Sequence, residues 1–157
     1  LVLAIVDSSI VQVDALGAAV SSAHEDIANA RVRFENGCVA TITASRISLK
    51  TERRMRLFSQ EGYLSADFMK RELTLIGRER GLPLPGTNGF RREHITWREQ
   101  DSLFAEHQAF VASCLEGAPV VVDAMAGRRA LAAALAVAQS ITDSRERMEL
   151  SGLIGAG

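Results

Sequence analysis

Ile27-Ala-Asn-Ala-Arg-Val-Arg-Phe-Glu-Asn-Gly-Cys-Val-Ala-Thr-Ile-Thr-Ala-Ser-Arg-Ile-Ser48 is the stretch on which the fold turns. Two runs rich in β-branched and alternating apolar residues, 27–35 and 38–48, flank Asn36-Gly37. An Asn-Gly pair in that setting favours a two-residue hairpin turn, because both of its positions need positive φ. Such a turn sets Glu35 opposite Cys38, Phe34 opposite Val39, Arg31 opposite Ile42 and Ile27 opposite Arg46. One face then carries Ala28, Ala30, Val32, Phe34, Val39, Thr41, Thr43, Ser45 and Ile47, and suits a helix layer. The other carries Asn29, Arg31, Arg33, Glu35, Cys38, Ala40, Ile42, Ala44 and Arg46, a mixture expected of a surface partly covered by a ligand or another subunit.

Upstream, residues 1–6 are short and apolar, with no initiator Met and no polar lead-in. They read as the remainder of a helix or strand that begins earlier, so the chain is expected to be part of a longer polypeptide. Residues 10–20 alternate as a strand, and 21–26 are polar and loop-like. Downstream, strands are expected over 53–59, 62–68, 71–78 and 94–98, and the short links between the first three make them antiparallel neighbours. Residues 81–89 hold three Gly, two Pro and an Asn, the composition of a loop.

The period then changes from 2 to 3.6. Asp101 or Ser102 can cap a helix to about residue 116, with Leu103, His107, Phe110, Val111 and Cys114 on one face. Gly117 and Pro119 stop it. After an extended Val120-Val121-Val122 link, Asp123 can cap an alanine-rich helix to about residue 140, and the Gly-containing tail 151–157 is expected to fray. Strands first and helices last predict an α+β fold: one open, mostly antiparallel sheet of about six or seven strands with helices packed on one face.

The bulk numbers set outer bounds. A length of 157 residues, 47% apolar and 24% charged, fits one globular domain, and a net charge of −1 gives no field to draw it to nucleic acid or an anionic membrane. Two cysteines and no secretory signal point to a reducing compartment, hence the cytoplasm. No G-x-G-x-x-G follows a strand and no phosphate-binding loop precedes a helix, so no cofactor-binding residue is assigned. His24, His94 and His107 have no Cys, Asp or Glu at metal-ligand spacing. His24-Glu25-Asp26 is read as a solvated turn or, less simply, a substrate contact, and His107 as a hydrogen-bonded core residue. Cys38 and Cys114 are read as buried structural thiols. The arginines are the candidate site. Arg31, Arg33 and Arg46 project to one face in the register above, beside Asn29, with Lys50, Arg53 and Arg54 just beyond. Guanidinium groups bind carboxylate or phosphate bidentately, so Arg46, Arg31 and Asn29 are the candidate substrate contacts. The alternatives are cross-strand pairing with Glu35 and Glu52, or contact with another subunit.

Three stretches together resemble the C-terminal domain of the glucose–fructose oxidoreductase / inositol dehydrogenase (Gfo/Idh/MocA) family. They are the hairpin 26–46, the helix 106–119 with Phe110, Gly117 and Pro119, and 123–140, where Gly127-Arg128-Arg129-Ala130-Leu131 leads into the alanine-rich helix. The hairpin is most similar to the UDP-N-acetylglucosamine 3-dehydrogenase group. The resemblance implies a two-domain NAD(P)-dependent oxidoreductase acting on a sugar or nucleotide sugar, whose N-terminal Rossmann domain is absent from this chain. This domain would form part of the substrate pocket and, through its open sheet face, a homo-oligomer interface. The family's glycine-rich fingerprint and its Glu-Lys-Pro lysine have no counterpart here, and its catalytic histidine is expected upstream of Leu1. NAD or NADP would therefore belong to the full-length parent, and the chain alone is expected to bind none and to be inactive. The alternative is a non-catalytic sugar-binding or scaffolding module.

Overall fold

A computed structural model describes residues 1–78 and 89–150. The expected loop over 81–89 lies almost wholly outside the described residues, as does the tail 151–157. The elements run α1 (Val2–Ile5), β1 (Ile10–Ala18), β2 (Ile27–Phe34), β3 (Val39–Ser45), β4 (Arg54–Phe58), β5 (Gly62–Asp67), β6 (Glu72–Arg78), β7 (Phe90–Thr96), α2 (Ser102–Glu116) and α3 (Ala124–Leu150). The class is α+β, and every strand pair is antiparallel. The strands form two sheets rather than one, β1-β2-β3 and β4-β5-β6-β7. Residues 46–53 between β3 and β4 join no ladder, and Leu49 among them is fully exposed. The chain divides at that stretch into two compact units, one of Leu1–Ser48 with Pro119–Gly157 and one of Leu49–Ala118.

In the first unit the β2–β3 hairpin forms, but its turn is not the one expected. Gly37 alone takes positive φ, at 84°, while Asn36 does not. Gly37 N donates to Phe34 O at 3.0 Å and Phe34 N donates to Cys38 O at 2.9 Å. This closes a three-residue loop, Glu35-Asn36-Gly37, of the kind in which a type I turn is followed by a left-handed glycine. Cys38 N donates to Asn36 Oδ1 at 3.0 Å, which holds the asparagine side chain inside the turn. One added loop residue shifts the register by one. Arg33 lies opposite Val39, Arg31 opposite Thr41, Asn29 opposite Thr43 and Ile27 opposite Ser45. A slip of one residue moves every side chain of one strand to the other face. Ala28, Ala30, Val32 and Phe34 therefore share their face with Cys38, Ala40, Ile42 and Ala44, not with Val39, Thr41 and Thr43.

That apolar face receives α3. Ala15, Ala30 and Ile141 form the buried cluster, with Ala28 and Val137 against it, and Val32 and Phe34 are also buried. Small residues on the strands let the helix come close, and Gly17 marks the closest approach. A Cβ there would sit 2.9 Å from Glu25 Cγ and 3.0 Å from Ile141 Cγ2. Ser140 adds a polar clip: its Oγ accepts from Ala15 N at 2.9 Å and donates to Val13 O at 3.1 Å. A β1 edge that would otherwise present unpaired backbone is thereby closed by a side chain. Helix α3 runs ten residues past the expected end near Ser140, because no Gly or Pro interrupts 141–150.

In the second unit the ladder places Met55, Ala66, Leu73 and Ile95 on one rung and Leu57, Leu64, Leu75 and Glu93 on the next, so one face is apolar except for Glu93 at its β7 edge. The strand expected at 94–98 starts earlier, at Phe90. The β5–β6 turn is an Asx type, with Asp67 Oδ1 accepting from Met69 N and Lys70 N, and it ends on Arg71 at φ 59°. Helix α2 is capped as expected: Asp101 accepts from Leu103 N and Phe104 N, and Gly117 adopts the left-handed conformation. Its apolar stripe, however, buries nothing among the described residues. His107 and Cys114 are exposed rather than core, and Cys38 is half-buried. The helix geometry follows from local sequence; burial depends on a surface to pack against, which local sequence does not specify.

Candidate functional site

The three-stranded sheet presents the face opposite α3 as an ordered polar surface. Reading across β1, β2 and β3, its rungs are Leu16-Asn29-Thr43, Asp14-Arg31-Thr41 and Gln12-Arg33-Val39, all exposed. Thr43 Oγ1 donates to Asn29 Oδ1 at 2.8 Å, which fixes the asparagine amide. Gln12 Nε2 donates to both oxygens of Asp14, at 3.1 and 2.9 Å. Arg31 and Arg33 make no ion pair among the described residues, so two guanidinium groups on alternate positions of one strand stand free with Asn29 beside them. Their chemistry suits a planar oxyanion.

Arg46 does not join them. The shifted register puts it on the α3 side, opposite Asp26, where its Nε lies 3.1 Å from Asp26 Oδ1 and its Nη2 donates to Glu25 O at 2.7 Å. The expected cluster of three arginines on one face is thus two arginines on one face and one on the other. The pairing expected with Glu35 or Glu52 is not the one Arg46 makes. Asp26 is its partner, and it is buried rather than part of the solvated turn expected of His24-Glu25-Asp26. Asp26 is 3% exposed and gathers the 19–26 loop around its carboxylate. Oδ2 accepts from Val20 N at 2.8 Å, Ser21 N at 2.7 Å and Ser22 N at 3.0 Å, and Oδ1 accepts from Ser22 Oγ at 2.9 Å. These amides, Ser21 and Val20 foremost, hold the Asp26 carboxyl far below the ordinary carboxylate range. The neighbouring Glu25 is also lowered, first by its own backbone N–H and then by Arg145 of α3, with which it is paired. The signal that could have found this clamp is Val20-Ser21-Ser22 followed four residues later by Asp26, a carboxylate placed to accept from the amides of its own loop.

In the second unit Arg54 is paired across β4–β5 with Asp67 at 2.9 Å, and Lys50 lies 3.5 Å from Glu52. The side chain of His24 takes no part in the loop clamp; only its backbone does, through Ser22 Oγ. Among the described residues no group of three or more His, Cys, Asp or Glu could hold a metal ion. No described helix is long and apolar enough to cross a membrane.

Comparison with known proteins decides the family. The chain is 40% identical over 127 residues, 81% of its length, to UDP-N-acetylglucosamine 3-dehydrogenase of Acidithiobacillus ferrooxidans. The solved structure of that enzyme, GnnA, superposes with a TM-score of 0.78 at 37% identity, over 88% of this chain and 44% of that one. The chain belongs to the Gfo/Idh/MocA family, as a C-terminal domain. It spans about two fifths of the length of the relative it matches. More distant Gfo/Idh/MocA-type dehydrogenases keep the fold. Biliverdin reductase from Synechocystis sp. PCC 6803, solved with biliverdin and NADP+, matches with a TM-score of 0.63 at 23% identity, over 84% of this chain and 40% of that one. No family model matches the chain.

Proposed function

We propose that this chain is the substrate-side and assembly domain of an NAD(P)-dependent oxidoreductase acting on a nucleotide sugar. The observation that carries the reading is the 40% identity across 81% of the chain to a UDP-N-acetylglucosamine 3-dehydrogenase. In the parent, a Rossmann domain preceding Leu1 binds NAD or NADP, the nicotinamide accepts hydride from a sugar carbon, and an upstream base removes the hydroxyl proton. The parent works in the cytoplasm.

This domain's part follows from the exposed polar sheet face. Arg31, with Arg33 behind it, offers a fork to a phosphate or carboxylate, and Asn29 offers an amide already oriented by Thr43. The same face, flanked by exposed Leu16 and Val39, is suited to meet a second copy. Arg46 serves this end by position: it pins Asp26 and Glu25, and so fixes where β2 and its Asn29 begin.

The intact mass of the natural gene product tests the arrangement. A mass about twice this chain's, as the length of the relative requires, supports a cofactor domain ahead of Leu1. A mass equal to this chain's would overturn the reading in favour of a sugar-binding or scaffolding module.

A further inference from the structure

Within the first unit a groove of about 710 Å³ runs between the α1–β1 turn and the N-terminal half of α3. One wall is polar, from Asp7, Ser8 and Ser9; the other is Arg129 followed by the small side chains of Ala132 and Ala133. The volume lies within the range of roughly 300–1,000 Å³ that small-molecule sites occupy. It stands on the other side of β1 and β2 from Asn29 and Arg31, and none of its residues takes part in the sheet-face site.

The polar groups differ in how far they are committed. Ser8 Oγ accepts from Asn36 N at 3.1 Å, and Ser9 O accepts from Glu35 N at 2.9 Å, so the hairpin turn of β2–β3 braces this wall. The Asp7 carboxylate and the Ser9 hydroxyl have no partner among the described residues. Arg129 makes one long hydrogen bond, 3.5 Å to Leu3 O within α1, and has no other partner among the described residues. A cation, an uncommitted carboxylate and a hydroxyl therefore share one trough, whose other lining residues include Leu3, Ile10 and the alanines of α3. A free guanidinium takes an oxyanion in bidentate fashion, while a carboxylate and a hydroxyl take ring hydroxyls as donor and acceptor partners. Alanines leave room for a ring without presenting a competing polar group.

We propose that this groove binds a hydroxylated ring carrying an oxyanion, with Arg129 on the oxyanion and Asp7 and Ser9 on the hydroxyls. The oxyanion could be a sugar phosphate or a sugar carboxylate, and the two are separated by the probe. The inference does not rest on the dehydrogenase reading, because it uses only residues of this chain and needs no cofactor.

The test is titration of the full 157-residue chain, followed by backbone amide shifts and by calorimetry, with N-acetylglucosamine 1-phosphate, glucuronate and neutral N-acetylglucosamine. Binding of at least one anionic probe, with shifts at Ser8, Ser9 and Ala133, is expected. Arg129→Met should weaken the binding reported by those groove amides about ten-fold or more, Arg129→Lys should restore part of it, and Arg31→Ala, which acts on the sheet face, should leave the shifts at Ser8, Ser9 and Ala133 in place. The preferred anion identifies the source. Ala132→Phe, a change at an exposed helix position, should block the groove without disturbing the sheet core. No binding of either anion up to about 10 mM, affinity in the range of ordinary weak encounters, would overturn the proposal. So would binding that Arg129→Met leaves intact. Loss on Arg31→Ala together with indifference to Arg129→Met would place sugar binding on the sheet face, leaving the dehydrogenase reading standing and removing the groove.

Discussion

Removing one hydroxyl, in Ser140→Ala, tests how α3 is held on the sheet. Ser140 Oγ makes two hydrogen bonds to the β1 edge, accepting from Ala15 N at 2.9 Å and donating to Val13 O at 3.1 Å. Ala15 is 3% exposed and sits in the buried cluster, so its amide has little access to solvent. The variant leaves that N–H and the Val13 carbonyl without their partner. An unsatisfied buried group costs about 1–3 kcal/mol, and a partly wetted carbonyl costs less. A loss of about 2 kcal/mol is expected, since alanine's better helix propensity returns only a few tenths. For a chain of this length that corresponds to a fall in Tm of roughly 4–8 °C. Urea denaturation gives the energy, and hydrogen exchange gives the location: the Ala15 amide should lose protection before its neighbours in β2 do. Ser140→Thr, which keeps the hydroxyl, should lose less. A Ser140→Ala midpoint within about 0.3 kcal/mol of the parent, with Ala15 protection unchanged, would refute the clip.

Ile141→Ala opens the centre of the same contact and should cost about 2–5 kcal/mol in urea unfolding, toward the upper part of that range because the facing alanines cannot collapse into the space. Arg71→Gly removes a left-handed strain of about 1 kcal/mol and loses only the exposed pair with Glu99, so the net change should be neutral to stabilising by up to about 1 kcal/mol. The Asp26 carboxyl is held below its unfolded value of about 3.9, so its contribution is complete above that pH and is lost as pH falls toward the folded value. The denaturant midpoint should therefore fall between about pH 5 and pH 2 more steeply in the parent than in Asp26→Asn, whose amide can still accept from Ser21 and Val20 but does not titrate.

The hairpin shows what the sequence could and could not say. Asn36-Gly37 announced a turn, and a turn is there. The same two residues serve a two-residue loop with both at positive φ, or a three-residue loop with only the glycine there. Local sequence leaves the choice open. It is settled by α3, because only the three-residue loop puts Ala28, Ala30, Val32 and Phe34 on the same face as Ala40 and Ile42, leaving Thr41 and Thr43 with the arginines. Arg31 and Asn29 kept their shared face because both lie on β2. Arg46 lies across the turn and moved to the other side. The caps of α2, at Asp101 and Gly117, were legible because each is a local hydrogen-bonding device. The exposure of Leu103, Phe110 and Cys114 was not, since burial depends on a surface that periodicity does not name. The Asp26 clamp was missed because its donors are backbone amides of the 19–26 loop, which a search for side-chain pairs does not see.

The central claim is that this domain belongs to an enzyme that oxidises a nucleotide sugar. Turnover by the full-length gene product tests it most directly, with UDP-N-acetylglucosamine and either NAD or NADP, followed by the absorbance of the reduced nicotinamide. The account predicts reduced cofactor formed in step with sugar oxidation, and an Arg31→Ala enzyme with raised KM and little change in kcat. A full-length product that reduces neither cofactor with any UDP-linked sugar, while remaining folded, would contradict it.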